Sequence, residues 1–129
     1  LKLNRLKNNH LILNRLNKVN LKTIKVKHGN VKSNCFIINK KLAYISDVNE
    51  IYNKDYKYFK NLEYLIIDCL RYNFHPSHFN LESVLNLINL FKPKKSILTN
   101  LHTDLDYYVL KNRLPKNVVP AYDGLSINF

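Results

Sequence analysis

The sequence predicts an α/β domain in which helices cover a mixed sheet. Three observations carry this reading. Short apolar stretches with the period of strands fill the first half of the chain. One longer apolar run, Leu62–Leu70, has the composition of a strand buried on both faces. From that run onward the order reads strand, helix, strand, helix, strand.

The first 21 residues, Leu1 to Leu21, are basic and rich in asparagine, with leucines at no fixed period, and take no assignment. In Thr23–Lys27, Ile24 and Val26 alternate with lysines, as in a half-buried strand. Cys35–Asn39 and Leu42–Ser46 are two further strands, and the lysines between them suit a hairpin loop. After Leu62–Leu70 comes a helix. Asn80 is its expected N-cap, Glu82 favours its first turn and Pro93 ends it. Leu81, Val84, Leu85 and Ile88 form its buried stripe. Ser96–Thr99 is the next strand. Thr103 is then the expected cap of a helix over Asp104–Arg113, with Asp106 at its third position and Pro115 beyond its end. Tyr122–Gly124 is a turn before a last strand, Leu125–Phe129. One domain over residues 1–129 follows, with no repeat and no low-complexity linker.

Composition narrows the function classes. The formal net charge is +12, which suits a phosphate-bearing or nucleic-acid partner. The lysines are scattered rather than blocked, however. With only two glycines and abundant Lys, Asn, Ile and Tyr, codon bias toward A and T explains the excess better. No apolar run approaches the roughly 20 residues of a membrane span, and none looks like a signal peptide. Cys35 and Cys69 lie inside apolar runs without a CxxC spacing, so reduced core thiols and a cytoplasmic location are expected. The chain begins with Leu1 rather than Met, so a piece of something longer is expected.

The chemistry-bearing residues sit where strands end. His28 follows the first strand and Asp47 the third. Asp68 closes the long apolar run, and Asn100 and His102 follow the next strand. The loop between contains His75 and His78. In α/β sheets, strand ends on one rim are where ligands gather. Each residue alone has an ordinary explanation. Asp47 can cap a turn, Asp68 can be a buried hydrogen-bonded carboxylate, and the histidines can be solvated loop residues.

Five ordered phrases make the set more specific: "VKHGN", "AYISDVNEI", "LIIDCLRYNFHPSHFNLESVLNLI", "ILTNLHTDLDY" and "LPKNVVPAYDGLSI". From about Lys22 to the end they resemble the C-terminal half of a metallo-β-lactamase-fold hydrolase. The branch they are most similar to contains the phosphoribosyl cyclic-phosphate phosphodiesterases. The resemblance implies half of an αββα sandwich and, in the intact parent, two divalent metal ions, zinc or manganese. The family's first metal motif, H-x-H-x-D-H, is absent; His10 is the one histidine before His28. A truncated, incomplete chain is therefore expected.

Carried over by position, His28 would bind one metal and Asp47 would bridge both, since a carboxylate has two oxygens. The family's "THxSH"-like histidine falls on Asn100, and His102 stands two residues on. An amide is a poor zinc ligand, so His102 is the expected ligand and Asn100 the alternative. His78 matches the family's non-ligand histidine, expected to protonate the leaving oxygen, with His75 second in rank. Asp68 and Asp106 are expected to orient these groups by hydrogen bonds. The implied function is hydrolysis of a small phosphodiester by a metal-activated water, with a homodimer open. The alternatives are a tRNA 3′-end-type nuclease on the same fold, or a non-catalytic basic nucleic-acid-binding domain. The chain lacks a Gly/Pro-rich arm for the first. It also lacks an Arg cluster, an RNP-type aromatic pattern and zinc-finger spacing for the second.

Overall fold

The structure is a computed structural model that describes residues 9–13 and 18–129. The unassigned Leu1–Leu21 segment is otherwise outside the described residues. Seven strands, in sequence order across one sheet, are β1 (Asn9–Leu13), β2 (Lys18–His28), β3 (Val31–Ile38), β4 (Leu42–Ile45), β5 (Tyr64–Asp68), β6 (Lys95–Thr99) and β7 (Val118–Pro120). β1 to β4 pair antiparallel and β4 to β7 pair parallel. The expected mixed sheet is present. A 3-10 turn (Asn53–Tyr58) precedes β5, α1 (Leu81–Phe91) joins β5 to β6, and α2 (Tyr107–Arg113) joins β6 to β7.

This topology sets the rim. Two antiparallel steps separate β2 from β4, so both run the same way, and β5 and β6 run parallel to β4. The C-terminal ends of β2, β4, β5 and β6 therefore open on one edge. His28, Asp47, Asp68 and Asn100 lie at those four exits.

Local chemistry explains the turns. β3 and β4 are joined by Asn39, Lys40 and Lys41; Asn39 and Lys40 have φ 52° and 58°, and Lys41 N–H donates to Ile38 O at 2.9 Å. Positive φ at both central residues of the Ile38–Lys41 turn reverses the chain tightly enough for Ile38 to pair with Leu42. Asn80 caps α1 as expected, its side chain accepting from Ser83 N–H at 3.0 Å. Val84, Ile88 and Phe91 of α1 join Leu65, Ile67, Val26 and Ile45 in the buried core. Phe59 stacks on Phe91 with ring centroids 5.2 Å apart.

Three sequence expectations are corrected. The second helix starts later than expected and is capped by Asp106, which accepts from Val109 N–H at 2.9 Å, not by Thr103. Leu105 is buried and its N–H closes a turn onto His102 O at 2.9 Å, so the chain is still turning where a helix was expected. The last strand is Val118–Pro120 rather than Leu125–Phe129. Pairing with β6 selects the three residues that follow the turn closed by Val118 N–H onto Pro115 O, and Pro120 is tolerated because β7 is an edge strand. Finally, Leu62–Leu70 is not buried evenly on both faces: Leu65 and Ile67 are fully buried, whereas Tyr64 and Ile66 on the alternate face are half-buried. Their neighbour Tyr44, paired with Ile66, is exposed.

Candidate metal centre

At the end of β2, the Asp47–Glu50 loop folds back onto the strand. Lys27 N–H donates to Glu50 O and Asn49 N–H to Lys27 O. Gly29 N–H donates to the Asn49 side chain at 2.8 Å. Asp47 takes a positive φ of 53°, and its carbonyl accepts from Ser33 Oγ at 2.7 Å. An Asp tolerates that backbone better than most residues. Its carboxylate is left exposed at the rim beside His28.

The loop from Leu70 to Asn80 is pinned at its root. Leu70 N–H donates to Phe79 O and Phe79 N–H to Val48 O, which brings His75–His78 over the rim. Gly29 lies against it. A Cβ built on Gly29 would stand 3.1 Å from Ser77 Cβ, and Gly29 has φ +58°, so glycine suits both the turn and the close approach.

Two imidazoles are fixed in this way. His28 Nδ1 lies 2.7 Å from Ser77 O. A carbonyl only accepts, so Nδ1 is the donor, and in the neutral ring the lone pair lies on Nε2. His78 Nδ1 lies 2.6 Å from Asp68 Oδ2, and the two rings meet edge to face with centroids 4.7 Å apart. Asp68 is fully buried and its Oδ2 also accepts from Val48 N–H at 3.0 Å. Burial pushes its carboxyl above the ordinary value, while the bonds from Val48 and His78, and the Asn100 side chain, pull it back. Asp68 Oδ1 has no hydrogen bond of ordinary geometry.

His28, Asp47 and His78 offer ligand atoms that lie within 4.8 Å of one another. Two histidines and a carboxylate, with each ring's other nitrogen already engaged, fit the donor chemistry of a zinc or manganese ion. The structure thus brings together His28, Asp47 and His78, and sets Asp68 behind His78. His75 lies beside them, its ring 5.2 Å from His78 and its Nδ1 accepting from Ser77 N–H at 3.3 Å. Desolvation, then the charges of Arg71 and His78, lowers its pKa. His102 is outside this group. It is exposed, and its Nδ1 lies 3.2 Å from the exposed Asp104. Asn100, at φ 59°, faces Asp68, and Asp106 caps α2.

Beside His28 opens a recess of about 570 Å³, bordered by Asn49, Pro76, Val31 and Phe74, which is 77% exposed. Ser77 and Gly29 carry no chemistry that marks them in the sequence. The one available signal was that one of two glycines in the chain directly follows His28. Both cysteines are buried; burial raises both thiols, Cys69 to about 12, so neither is a ready ligand.

No family model and no curated protein matches the sequence. Solved structures do match the fold. The chain is similar to a new diphosphatase from the PhnP family, at 23% identity and TM-score 0.89, over 99% of this chain and 49% of that one. It is similar to the metallo-β-lactamase-fold protein YhfI from Bacillus subtilis, at 15% identity and TM-score 0.70, over 93% and 53%. It is also similar to Zn(2+)-bound PqqB from Methylobacterium extorquens, at 12% identity and TM-score 0.68, over 86% and 50%. The chain spans about half the length of each of these proteins. With the mixed sheet and its helices, these likenesses show that the chain has the metallo-β-lactamase fold.

Proposed function

We propose that this chain supplies part of the active site of a metal-dependent hydrolase acting on a small phosphodiester, such as a cyclic phosphate. The observation that carries the reading is the convergence of His28, Asp47 and His78 at one sheet rim, with Nδ1 of each imidazole already held. The likeness to a diphosphatase supports a phosphate ester as substrate, and the likeness to a zinc-bound protein supports the metal.

His28 through Nε2 and Asp47 through its carboxylate would hold a divalent ion, and Asp47 has a second oxygen for a second ion. When bound, such ions neutralise phosphoryl oxygens and acidify a water. His78 has a separate task. With Nδ1–H held by Asp68, an imidazolium has one free proton, on Nε2, to give to a departing alkoxide. Asp68 fixes the ring and balances its charge. The recess beside His28 receives the group esterified to the phosphate, with Asn49 and Phe74 at its border.

A second reading makes His78 the third metal ligand, and the 4.8 Å grouping favours it. Metal content and hydrolysis of bis(p-nitrophenyl) phosphate separate the two in a chain with the complete ligand set. If His78 is the acid, His78→Ala keeps its metal and loses about 10²–10⁴ in turnover. If it is a ligand, His78→Ala loses metal. Wild-type metal content and turnover in both His78→Ala and Asp47→Ala would overturn the proposed site.

A further inference from the structure

Lys22, Ile24, Val26 and His28 alternate onto one face of β2. His28 ends that row at the candidate metal centre. Lys22 is six residues back, about 20 Å away along the strand. There a second cleft of about 570 Å³ opens between the sheet and the segment around the 3-10 turn. Its border includes Lys22, Lys40, Lys57 and Lys60, together with Tyr58 and Asn20.

The composition of this cleft is one-sided. Four ammonium-bearing side chains border it, and no Asp or Glu is among the described residues that line it. Nearby, Glu63 is engaged with Lys41 at 3.4 Å, and Asp55 lies in the 3-10 turn that also carries Lys57 without lining the cleft. The lysines are also positioned. Lys22 Nζ stands 4.5 Å, and Lys57 Nζ 5.2 Å, from the centre of the same Tyr58 ring. Lys40 sits in the turn between β3 and β4 at φ +58°, braced where Asn39 Oδ1 accepts from Asn20 N–H at 2.9 Å. Like charges gathered in one recess repel each other and attract an anion able to contact several at once. Lysine binds phosphate as a point charge, without the planar match that arginine requires.

We propose that this cleft is a second anion site, distinct from the metal centre, that takes an oligophosphate group of two or three linked phosphoryl units. Exposed Lys40 and Lys60 contact the terminal phosphoryl oxygens, while half-buried Lys22 and exposed Lys57 stand at the Tyr58 ring. A bound oligophosphate would sit about 20 Å from the phosphodiester under reaction, so the two sites can be filled together.

The test uses the metal-free chain and inorganic tripolyphosphate, so it does not depend on the metal reading. Binding is measured by calorimetry at low salt for three proteins. The cleft variant is Lys40→Asn with Lys60→Gln; Asn suits the positive φ at position 40. The control, Lys94→Gln with Lys116→Gln, removes the same charge from exposed positions outside the cleft. Amide shifts of the wild-type chain locate the ligand. The expected result is affinity at least about tenfold weaker in the cleft variant and within about twofold in the control, as direct charge-assisted contacts require. The shifts should centre on Asn20, Lys40 and Lys60. No binding by wild type, equal losses in both variants, or shifts confined to the His28 rim would each overturn the proposal.

Discussion

Two loops leave neighbouring parallel strands at the same rim, and both carry a histidine next to an aspartate in space. After β5, His78 meets Asp68 at 2.6 Å, with side-chain exposures of 17% and 0%. After β6, His102 meets Asp104 at 3.2 Å, with exposures of 57% and 39%. In the first pair the carboxylate belongs to the strand and is held by Val48 N–H, so the ring has one orientation. In the second, both partners belong to the same exposed turn and can exchange each other for water. A strand exit delivers a histidine to a rim. A buried carboxylate turns it into a preorganised ligand or proton donor.

The largest expected effect breaks that contrast directly. Asp68→Ala should lower unfolding free energy by about 2–3 kcal/mol, because it strands Val48 N–H and His78 in a buried site. Asp104→Ala should change stability by about 0–1 kcal/mol, as for exposed ion pairs generally. Urea unfolding of the two variants measures both. Equal losses would mean that the first pair is no better built than the second.

A smaller effect tests how the first loop approaches His28. Gly29→Ala should cost about 1–2 kcal/mol for its positive φ, plus the displacement of Ser77. Gly124→Ala, at φ +90° with nothing within 4 Å, bears only the backbone cost. The difference between the two melting shifts isolates the Ser77 contact, and metal affinity should fall only in Gly29→Ala.

The smallest concerns the second loop alone. Asp106→Ala removes the cap of α2 and should cost about 1 kcal/mol. Metal affinity should stay unchanged, because α2 holds none of the grouped ligands. A parallel loss of metal would join the second loop to the site.

The rim residues were legible in the sequence because apolar runs with strand period stop at them. His28, Asp47 and Asp68 each follow such a run, and the topology then places them together. The Asp68–His78 pair was not legible. Ten residues separate them, and the path between is set by Leu70–Phe79 and Phe79–Val48 backbone bonds that no local pattern encodes. Asp68 was expected to orient a neighbour, but not this one. Thr103 and Asp106 are both good cap residues, and the burial of Leu105 decided between them. Val118–Pro120 is too short and too close to proline for a strand signal. Leu125–Phe129 had the apolar residues but no neighbouring strand to pair with.

Metal titration of this chain compares the two loops most directly. Zinc or manganese binding is followed by calorimetry for wild type, His28→Ala and His102→Ala. Loss of one of a few ligands should cost several kcal/mol of metal binding. The expected result is that His28→Ala abolishes measurable binding while His102→Ala binds as wild type does. Retained binding in His28→Ala, with loss in His102→Ala, would place the metal at the second loop and contradict the centre described here.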